Sequence, residues 1–278
     1  MSVARRQPEA EPDPCGDAWT LPERAAAPVR SGSLTRVPTV PAATVSLEKF
    51  DLPRYLGTLA LFSSVDAVQR QRLAAGCRLR RFARGTMIFR VGDHCAEFHV
   101  VVTGHVKLFA MSSAGVEKVV QLCGPGRSFG EGVMFLGAPY VLSAQALADT
   151  LLLTIGRATV LREIEASPEF GLRMLAGLSE RLHGLVRDVE AYALHSGTQR
   201  VIGYLLGDHP RQDHPDEGRE SISITLPVSK AAIASRLSIT PEYFSRVLSE
   251  LVAAGLIVVE RRTIHIPDVA RLAACQPP

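Results

Sequence analysis

Residues 229–255 read SKAAIASRLSITPEYFSRVLSELVAAG, and this stretch decides the fold of the C-terminal part of the chain. Its pattern predicts a first helix that begins after Ser229, a residue type favoured as an N-cap, and ends at about Leu237. Ile233 and Leu237 are four positions apart, which gives this helix an apolar face. A turn is expected at Ser238-Ile239.

A second helix is predicted to follow this turn. Thr240 is its expected N-cap, and Pro241 suits its first position, where the missing backbone N–H has no intrahelical partner to lose. Gly255 is expected to end it. The apolar residues of this helix share one face: Phe244, Val247, Leu248 and Leu251. Its polar residues at i, i+3 and i+4 lie opposite: Glu242, Ser245 and Arg246.

Two helices joined in this way are typical of a helix-turn-helix whose second helix reads the major groove of DNA. An arginine pairs with two acceptors of guanine, and a glutamate accepts from the amino group of cytosine. The runs Leu256–Val259 and Thr263–Ile266 predict a β-hairpin wing with cations at its tip, suited to phosphates. The expected DNA contacts are Lys230, Thr240, Glu242, Ser245, Arg246, Arg261 and Arg262. The alternative is a helix pair whose polar stripe faces only water.

A long helix is predicted upstream, from Pro168 to about Leu194, with Ser167 in the N-cap position. Its apolar residues recur at steps of three and four, as heptad positions a and d do: Leu175, Leu178, Leu182, Leu185, Val189 and Tyr192. A strip this narrow favours a coiled-coil seam between two copies of the chain. The alternative is a helix that packs on its own domain. Ser196-Gly197 is interpreted as a hinge, and residues 208–220 as an acidic loop.

Between residues 78 and 155, short β-prone runs alternate with single glycines, which suit tight turns. The predicted strands are Met87–Phe89, Phe98–Val102, Val106–Phe109, Val119–Leu122 and Leu151–Ile155. This spacing predicts a compact β-roll or jelly roll. One or two short helices are expected before it, up to Cys77.

The composition is that of an ordinary globular protein. The chain has a net charge of +3 and 46% hydrophobic residues. Its length of 278 residues is enough for about two domains. Proline-rich residues 1–46 are predicted to be a disordered tail. With no apolar run of about 18 residues and no secretory signal, we expect a cytoplasmic protein without membrane contact. The five cysteines are widely spaced, which disfavours a disulfide framework or a structural zinc site.

In this order, the glycine-rich roll, the heptad helix and the helix-turn-helix resemble the Crp/Fnr family of bacterial transcription regulators. The resemblance runs from about residue 56 to residue 272. Its motifs are Gly104–Lys107, Phe129–Glu131 and Pro241–Arg246, the last similar to the Glu-x-x-Ser-Arg signature of Fnr-type recognition helices. Ala144–Ala146, Arg181–His183 and Arg200–Leu206 look most similar to the branch of denitrification regulators that answer nitric oxide.

The resemblance implies an α+β architecture with a cyclic-nucleotide-binding-like β-roll, a long dimerisation helix and a C-terminal winged helix-turn-helix. The expected boundaries are 1–46 for the tail, 47–167 for the sensory roll with flanking helices, 168–195 for the dimerisation helix and 196–278 for the DNA-binding domain. It further implies a homodimer on double-stranded DNA, at an Fnr-like inverted repeat of TTGAT, with RNA polymerase as a partner. No catalytic motif points to an enzyme. A ligand-binding module that controls a protein partner is the other alternative.

The resemblance places the effector pocket at Gly130, Glu131, Leu142, Ser143 and His183. Family members that bind cyclic AMP pair its phosphate with an arginine about ten residues after the Gly-Glu pair. Leu142 stands at that position, so cyclic AMP is not expected, because a buried phosphate without a cation is costly. A cyclic-nucleotide-responsive regulator is kept as an alternative. Iron–sulfur members cluster cysteines near the N-terminus, where this chain has only Cys15, so no cluster is expected.

Haem that senses nitric oxide is what the resemblance to the denitrification branch then implies. Haem needs an axial ligand and an apolar slot. The candidate ligands in or beside the roll are His94, His99, His105 and His183. The alternative is a redox switch at Cys95 or Cys123, which would require an accessible thiol.

Overall fold

The computed structural model describes residues 43–44, 50–62, 65–207, 211–216 and 219–275. Its strands are β1 (Ala43–Thr44), β2 (Cys77–Phe82), β3 (Met87–Phe89), β4 (Glu97–Thr103), β5 (Val106–Met111), β6 (Glu117–Cys123), β7 (Ser128–Phe129), β8 (Ser143–Ala146), β9 (Thr150–Gly156), β10 (Arg211–Asp216), β11 (Arg219–Thr225), β12 (Val258–Glu260) and β13 (Thr263–Ile266). Its helices are α1 (Leu52–Thr58), α2 (Ala67–Ala75), α3 (Glu131–Leu136), α4 (Arg157–Ala166), α5 (Pro168–Leu194), α6 (Gly197–Leu206), α7 (Lys230–Arg236), α8 (Pro241–Ala253) and α9 (Val269–Ala273). The predicted tail, residues 1–46, lies outside the described residues apart from β1.

Two antiparallel sheets form the predicted β-roll. One sheet has the strand order β1-β2-β9-β4-β7, and the other has the order β3-β8-β5-β6. Their facing side chains bury a common core that includes Val101, Phe129 and Ala144. Helices α1, α2 and α4 and the start of α5 bring further buried residues to the same apolar cluster, among them Leu56 and Phe170. The roll, long helix and helix-turn-helix thus follow one another as the sequence predicts.

All five predicted strands of the roll are present, with ends that differ by up to two residues. Strand β2 is not among the predicted strands, because arginines occupy three of its six positions and leave no continuous apolar run. Its buried residues are Cys77, Leu79 and Phe82. Register with β9 places Leu79 opposite Leu153, inside the sheet.

Helix α5 begins at Pro168 and ends at Leu194, as the heptad pattern predicts. The chain leaves the helix at His195, which is extended, and Ser196 then caps α6. The break predicted at Ser196-Gly197 is therefore present, and a hinge there stays a prediction. Gly197 lies inside α6, and a Cβ there would stand 2.7 Å from the Tyr243 ring, so the glycine serves close packing.

The C-terminal part contains a sheet of order β10-β11-β13-β12 with α6 to α9. The loop predicted over residues 208–220 is corrected, because β10 pairs with β11 from Arg211↔Ile224 to Asp216↔Arg219. An edge strand tolerates charge and proline, which is why its composition resembles that of a loop. None of the described helices is long and apolar enough to cross a membrane.

Candidate DNA-binding surface and effector pocket

Side-chain caps fix the start of both helices of the helix-turn-helix. Ser229 Oγ accepts a hydrogen bond from the Ala232 amide at 3.3 Å, so α7 begins where the sequence predicts. Thr240 Oγ1 accepts from the Tyr243 amide at 3.1 Å, so Thr240 acts as the predicted N-cap of α8. Each such cap contributes about 1 kcal/mol to helix stability. The caps hold the start of α8 in one place.

Helix α8 has the two faces that its sequence predicts. Its buried residues are Phe244, Val247, Leu248 and Leu251. Glu242, Ser245 and Arg246 are exposed on the other side. Arg246 Nε lies 3.6 Å from a Glu250 carboxylate oxygen, with 63% of the arginine side chain exposed. An exposed pair of this kind contributes about 0–1 kcal/mol, so Arg246 can leave it for a base at little cost.

The two arginines predicted at the tip of the wing have different surroundings. Arg261 is exposed at the hairpin tip, with a left-handed φ of 55°. Arg262 donates from Nη2 to the Leu226 carbonyl oxygen at 2.8 Å, so its guanidinium supports the wing backbone. Lys230 is exposed in the first turn of α7. Of the predicted phosphate contacts, Arg261 and Lys230 are therefore the better placed.

Helix α5 carries an apolar strip that the described part of the chain leaves uncovered. Its exposed apolar residues are Leu172, Leu175, Leu182, Leu185, Val186 and Val189. Phe170 and Met174 lie on the other side, buried against the roll. Contiguous exposed apolar surface of this kind often marks a site of interaction with another protein or a ligand.

Tyr192 does not belong to this strip, which corrects its placement in the predicted seam. Its hydroxyl donates to the Arg236 carbonyl oxygen at 2.6 Å and accepts from Arg236 Nη1 at 2.6 Å. Tyr192 therefore ties α5 to α7 within one chain. Leu178 is half-buried, while Leu172 and Val186 extend the exposed strip beyond the predicted residues.

Glu131 and Arg181 form a buried ion pair between the roll and α5. Glu131 is 4% exposed, and its carboxylate receives Arg181 Nη1 at 2.7 Å and Nη2 at 3.2 Å. Arg181 Nη2 also donates to the Ser128 carbonyl oxygen at 2.8 Å. Gly130, directly before Glu131, has a φ of 93°, which favours glycine at the start of α3. The glutamate of the predicted effector pocket is thus already paired with an arginine of the same chain.

The other predicted pocket residues make contacts elsewhere. Leu142 packs against the roll core. Ser143 Oγ accepts from the Val91 amide at 3.1 Å, beside the loop before β4. His183 is exposed, and its Nδ1 lies 2.9 Å from the Ser179 carbonyl oxygen of its own helix. The expectation that His183 faces the pocket is therefore corrected.

A separate cleft of about 230 Å³ opens at one end of the roll, next to His99. It is lined by Arg80, Ile88, Phe89, Asp93, His94, Ala96, Glu97, His99 and Tyr140. His99 is 2% exposed, and its Nδ1 lies 3.1 Å from Thr154 Oγ1. Burial, with the field of Arg80, lowers the pKa of His99 to about 3, so the imidazole is neutral at pH 7. Its Nε2 has no hydrogen-bond partner among the described residues.

The cysteines of the roll are poor redox sensors. Cys95 and Cys123 are both buried. Burial raises the pKa of the Cys123 thiol to about 12 and also raises the pKa of Cys95. Redox-sensing cysteines need thiolate character and solvent access, and neither group has them.

Two models of known protein domains match this chain, one in the roll and one in the C-terminal part. A model of the cyclic nucleotide-binding domain matches residues 79–167, and one of the Crp-like helix-turn-helix domain matches residues 199–275. The nitrogen fixation regulation protein FixK of Bradyrhizobium diazoefficiens is 28% identical over 218 residues, which are 78% of this chain and 90% of FixK.

Solved structures have the same architecture. A structure from Ruegeria pomeroyi, named for cyclic nucleotide binding, is 32% identical, covers 80% of this chain and 95% of its own, and has a TM-score of 0.54. FixK2 from Bradyrhizobium japonicum is 22% identical with a TM-score of 0.62, and the match covers 70% of this chain and 95% of FixK2. The FixK2 match shows the fold alone.

Proposed function

Because the chain belongs to the Crp/Fnr family of DNA-binding transcription regulators, we propose that it acts as a homodimer on palindromic DNA. The observation that carries the proposal is α8, a capped helix that presents Glu242, Ser245 and Arg246 to solvent. These residues suit the edges of guanine and cytosine. Their likeness to the Fnr-type signature favours an inverted repeat of TTGAT. RNA polymerase is the partner that a regulator on such a site would recruit or block.

The dimer is proposed to form through the exposed strip of α5. Two such strips, packed in parallel, would remove from water the apolar residues that one chain leaves exposed. The twofold axis would then relate two α8 helices. Recognition helices of such dimers enter successive major grooves, about 34 Å apart. A palindrome therefore matches the symmetry of the protein.

Arg246→Ala is expected to weaken binding to the palindrome by about 1–3 kcal/mol and to relax preference at one base pair of each half-site. The reason is the loss of a bidentate pair with a base, which carries sequence information. Binding to a library with each half-site position randomised measures the effect. Lys230→Ala is the control, because a lost phosphate contact weakens all sequences alike and lowers the salt dependence. Uniform weakening by Arg246→Ala would make Arg246 a phosphate contact.

The signal is proposed to be a gas or a redox change, with nitric oxide favoured by the sequence resemblance to denitrification regulators. Some relatives are named for cyclic AMP, including the cyclic AMP receptor protein of Thermus thermophilus, 26% identical over 193 residues. Two features of this chain argue against that ligand here. Leu142 has no charge with which to bind a phosphate, and Glu131 already forms an ion pair with Arg181.

The residues around His99 do not fit a haem as they lie. The neutral imidazole with an anchored Nδ1 has the chemistry of an iron ligand. The cleft of about 230 Å³ is, however, smaller than the roughly 300–1,000 Å³ of sites for drug-sized ligands, and its rim is charged. Haem therefore stays a prediction from sequence resemblance.

Titration with hemin tests that prediction. A Soret band that saturates at one haem per chain, and is lost in His99→Gln, is the expected result if the cleft opens. His105→Gln is the matched control, because His105 lies outside the residues that line the cleft. A flat titration would remove haem and nitric oxide sensing through it, and would leave the DNA-binding proposal intact.

A further inference from the structure

Lys118, on strand β6 of the roll, reaches into the helix-turn-helix. Its Nζ donates to the carbonyl oxygens of Ser235 at 2.8 Å and Arg236 at 3.0 Å, at the end of α7. It also donates to Ser238 Oγ at 2.6 Å, in the turn. Burial and the nearby Arg236 lower the pKa of Lys118 to about 8, which leaves it mostly protonated at neutral pH. A roll residue thus supplies a cation where the dipole of α7 is negative.

The turn that Lys118 touches has an unusual backbone for its sequence. Ser238 has a φ of 55°, in the left-handed region that favours glycine. The Ile239 amide donates to the Ala234 carbonyl oxygen at 3.0 Å, and the Ser238 amide donates to the Ser235 carbonyl oxygen at 3.2 Å. This is the Schellman arrangement that ends a helix, in which glycine is the usual left-handed residue. A serine there needs outside support to hold the turn.

Further contacts join α7 to the roll and to α5 at the same point. Ser235 Oγ accepts from the Val119 amide at 2.9 Å and donates to the Glu117 carbonyl oxygen at 3.2 Å, both on β6. Arg236 Nη2 donates to Asp188 of α5 at 2.5 Å. The Lys118 ammonium lies 4.4 Å from the centre of the Tyr192 ring, also on α5. Roll, long helix and DNA-binding motif therefore meet at Lys118.

We propose that Lys118 is a positioning residue for DNA recognition, which holds the left-handed turn at Ser238 and so fixes the angle between α7 and the recognition helix α8. A movement of β6 would pull on this turn directly, so the residue also links the roll to DNA affinity. The inference rests on the proposed reading of DNA by α8. It goes beyond that reading because Lys118 lies on the roll and would act through the turn at Ser238.

The test uses the full-length protein and three variants. Lys118→Met keeps the length of the side chain and removes its donors, and we expect about a tenfold loss of affinity for the palindrome. Arg81→Met is the matched control, because it removes one exposed cation from strand β2 of the roll, away from the junction. We expect it to bind within about twofold of wild type. Lys118→Met combined with Ser238→Gly should recover most of the lost affinity, because glycine adopts the left-handed turn without support.

Hydrogen exchange without DNA gives a second readout. We expect the Ile239 amide to exchange faster in Lys118→Met and to be protected again in the double variant. Equal DNA affinity of Lys118→Met and Arg81→Met, or a loss that glycine fails to rescue, would overturn the proposal. If wild type itself ignored the palindrome, the reading of DNA by α8 would fail instead. Exchange at Ile239 would then still decide whether Lys118 holds the turn.

Discussion

Replacing both Leu182 and Val189 with glutamate is expected to convert the proposed dimer into monomers and to abolish specific DNA binding. The two side chains are 62% and 66% exposed in one chain, on the strip proposed as the seam. Burying each is worth roughly 1.5–3 kcal/mol, and four glutamates in a two-stranded seam would add charge repulsion. A monomer offers one recognition helix instead of two, so specific affinity should fall by at least about 100-fold.

Sedimentation and DNA titration of the same samples measure both effects. Val68→Glu is the matched control, because Val68 is 65% exposed on α2 and lies outside the seam. That control should remain dimeric. A Leu182→Glu, Val189→Glu protein that stayed dimeric would show that another surface joins the two chains.

Arg181→Ala is expected to destabilise the roll and its contact with α5 by about 3–5 kcal/mol. The substitution leaves the Glu131 carboxylate, which is 4% exposed, without its cation and with a large cost of desolvation. Urea denaturation followed by circular dichroism measures the loss. Arg187→Ala, an exposed arginine of the same helix, is the control and should change stability by less than about 0.5 kcal/mol.

A second substitution separates charge from packing at this pair. Arg181→Ala combined with Glu131→Gln should regain part of the lost stability, because the uncompensated charge is gone. Arg181→Ala as stable as Arg187→Ala would mean that the ion pair contributes nothing, and that other contacts, such as the packing of Phe170 and Met174, hold α5 to the roll.

The elements that could be predicted from the sequence are those whose signals are local. The bounds of α5 follow from a proline start and a heptad period, and the start of α8 follows from Thr240 and Pro241. The faces of α8 follow from helical spacing alone. Strands β2 and β10 lack such a signal, since charged residues interrupt both. The place of β2 depends on β9, which is distant in the sequence, while β10 pairs with the next strand, β11.

Pairings between distant residues could not be predicted for the same reason. A heptad pattern cannot tell which apolar residue faces a second chain, so it groups Tyr192 with the seam although Tyr192 binds Arg236. Arg181 is 50 residues from Glu131, and Lys118 is 120 residues from Ser238. Only the fold brings these charges to their acceptors. The sequence pattern therefore predicts helix α8, while the contacts from the roll to the turn before it are visible only in the three-dimensional structure.

Affinity for palindromic duplexes that differ only in half-site spacing tests most directly whether the protein reads DNA as a symmetric dimer. The half-sites would carry the TTGAT repeat with centres about one helical turn apart, and the comparison would insert about five base pairs, half a turn. We predict tight binding to the first duplex and a loss of at least about 100-fold on the second, close to the level of a scrambled sequence. Equal affinity for all three duplexes would contradict specific recognition by paired α8 helices.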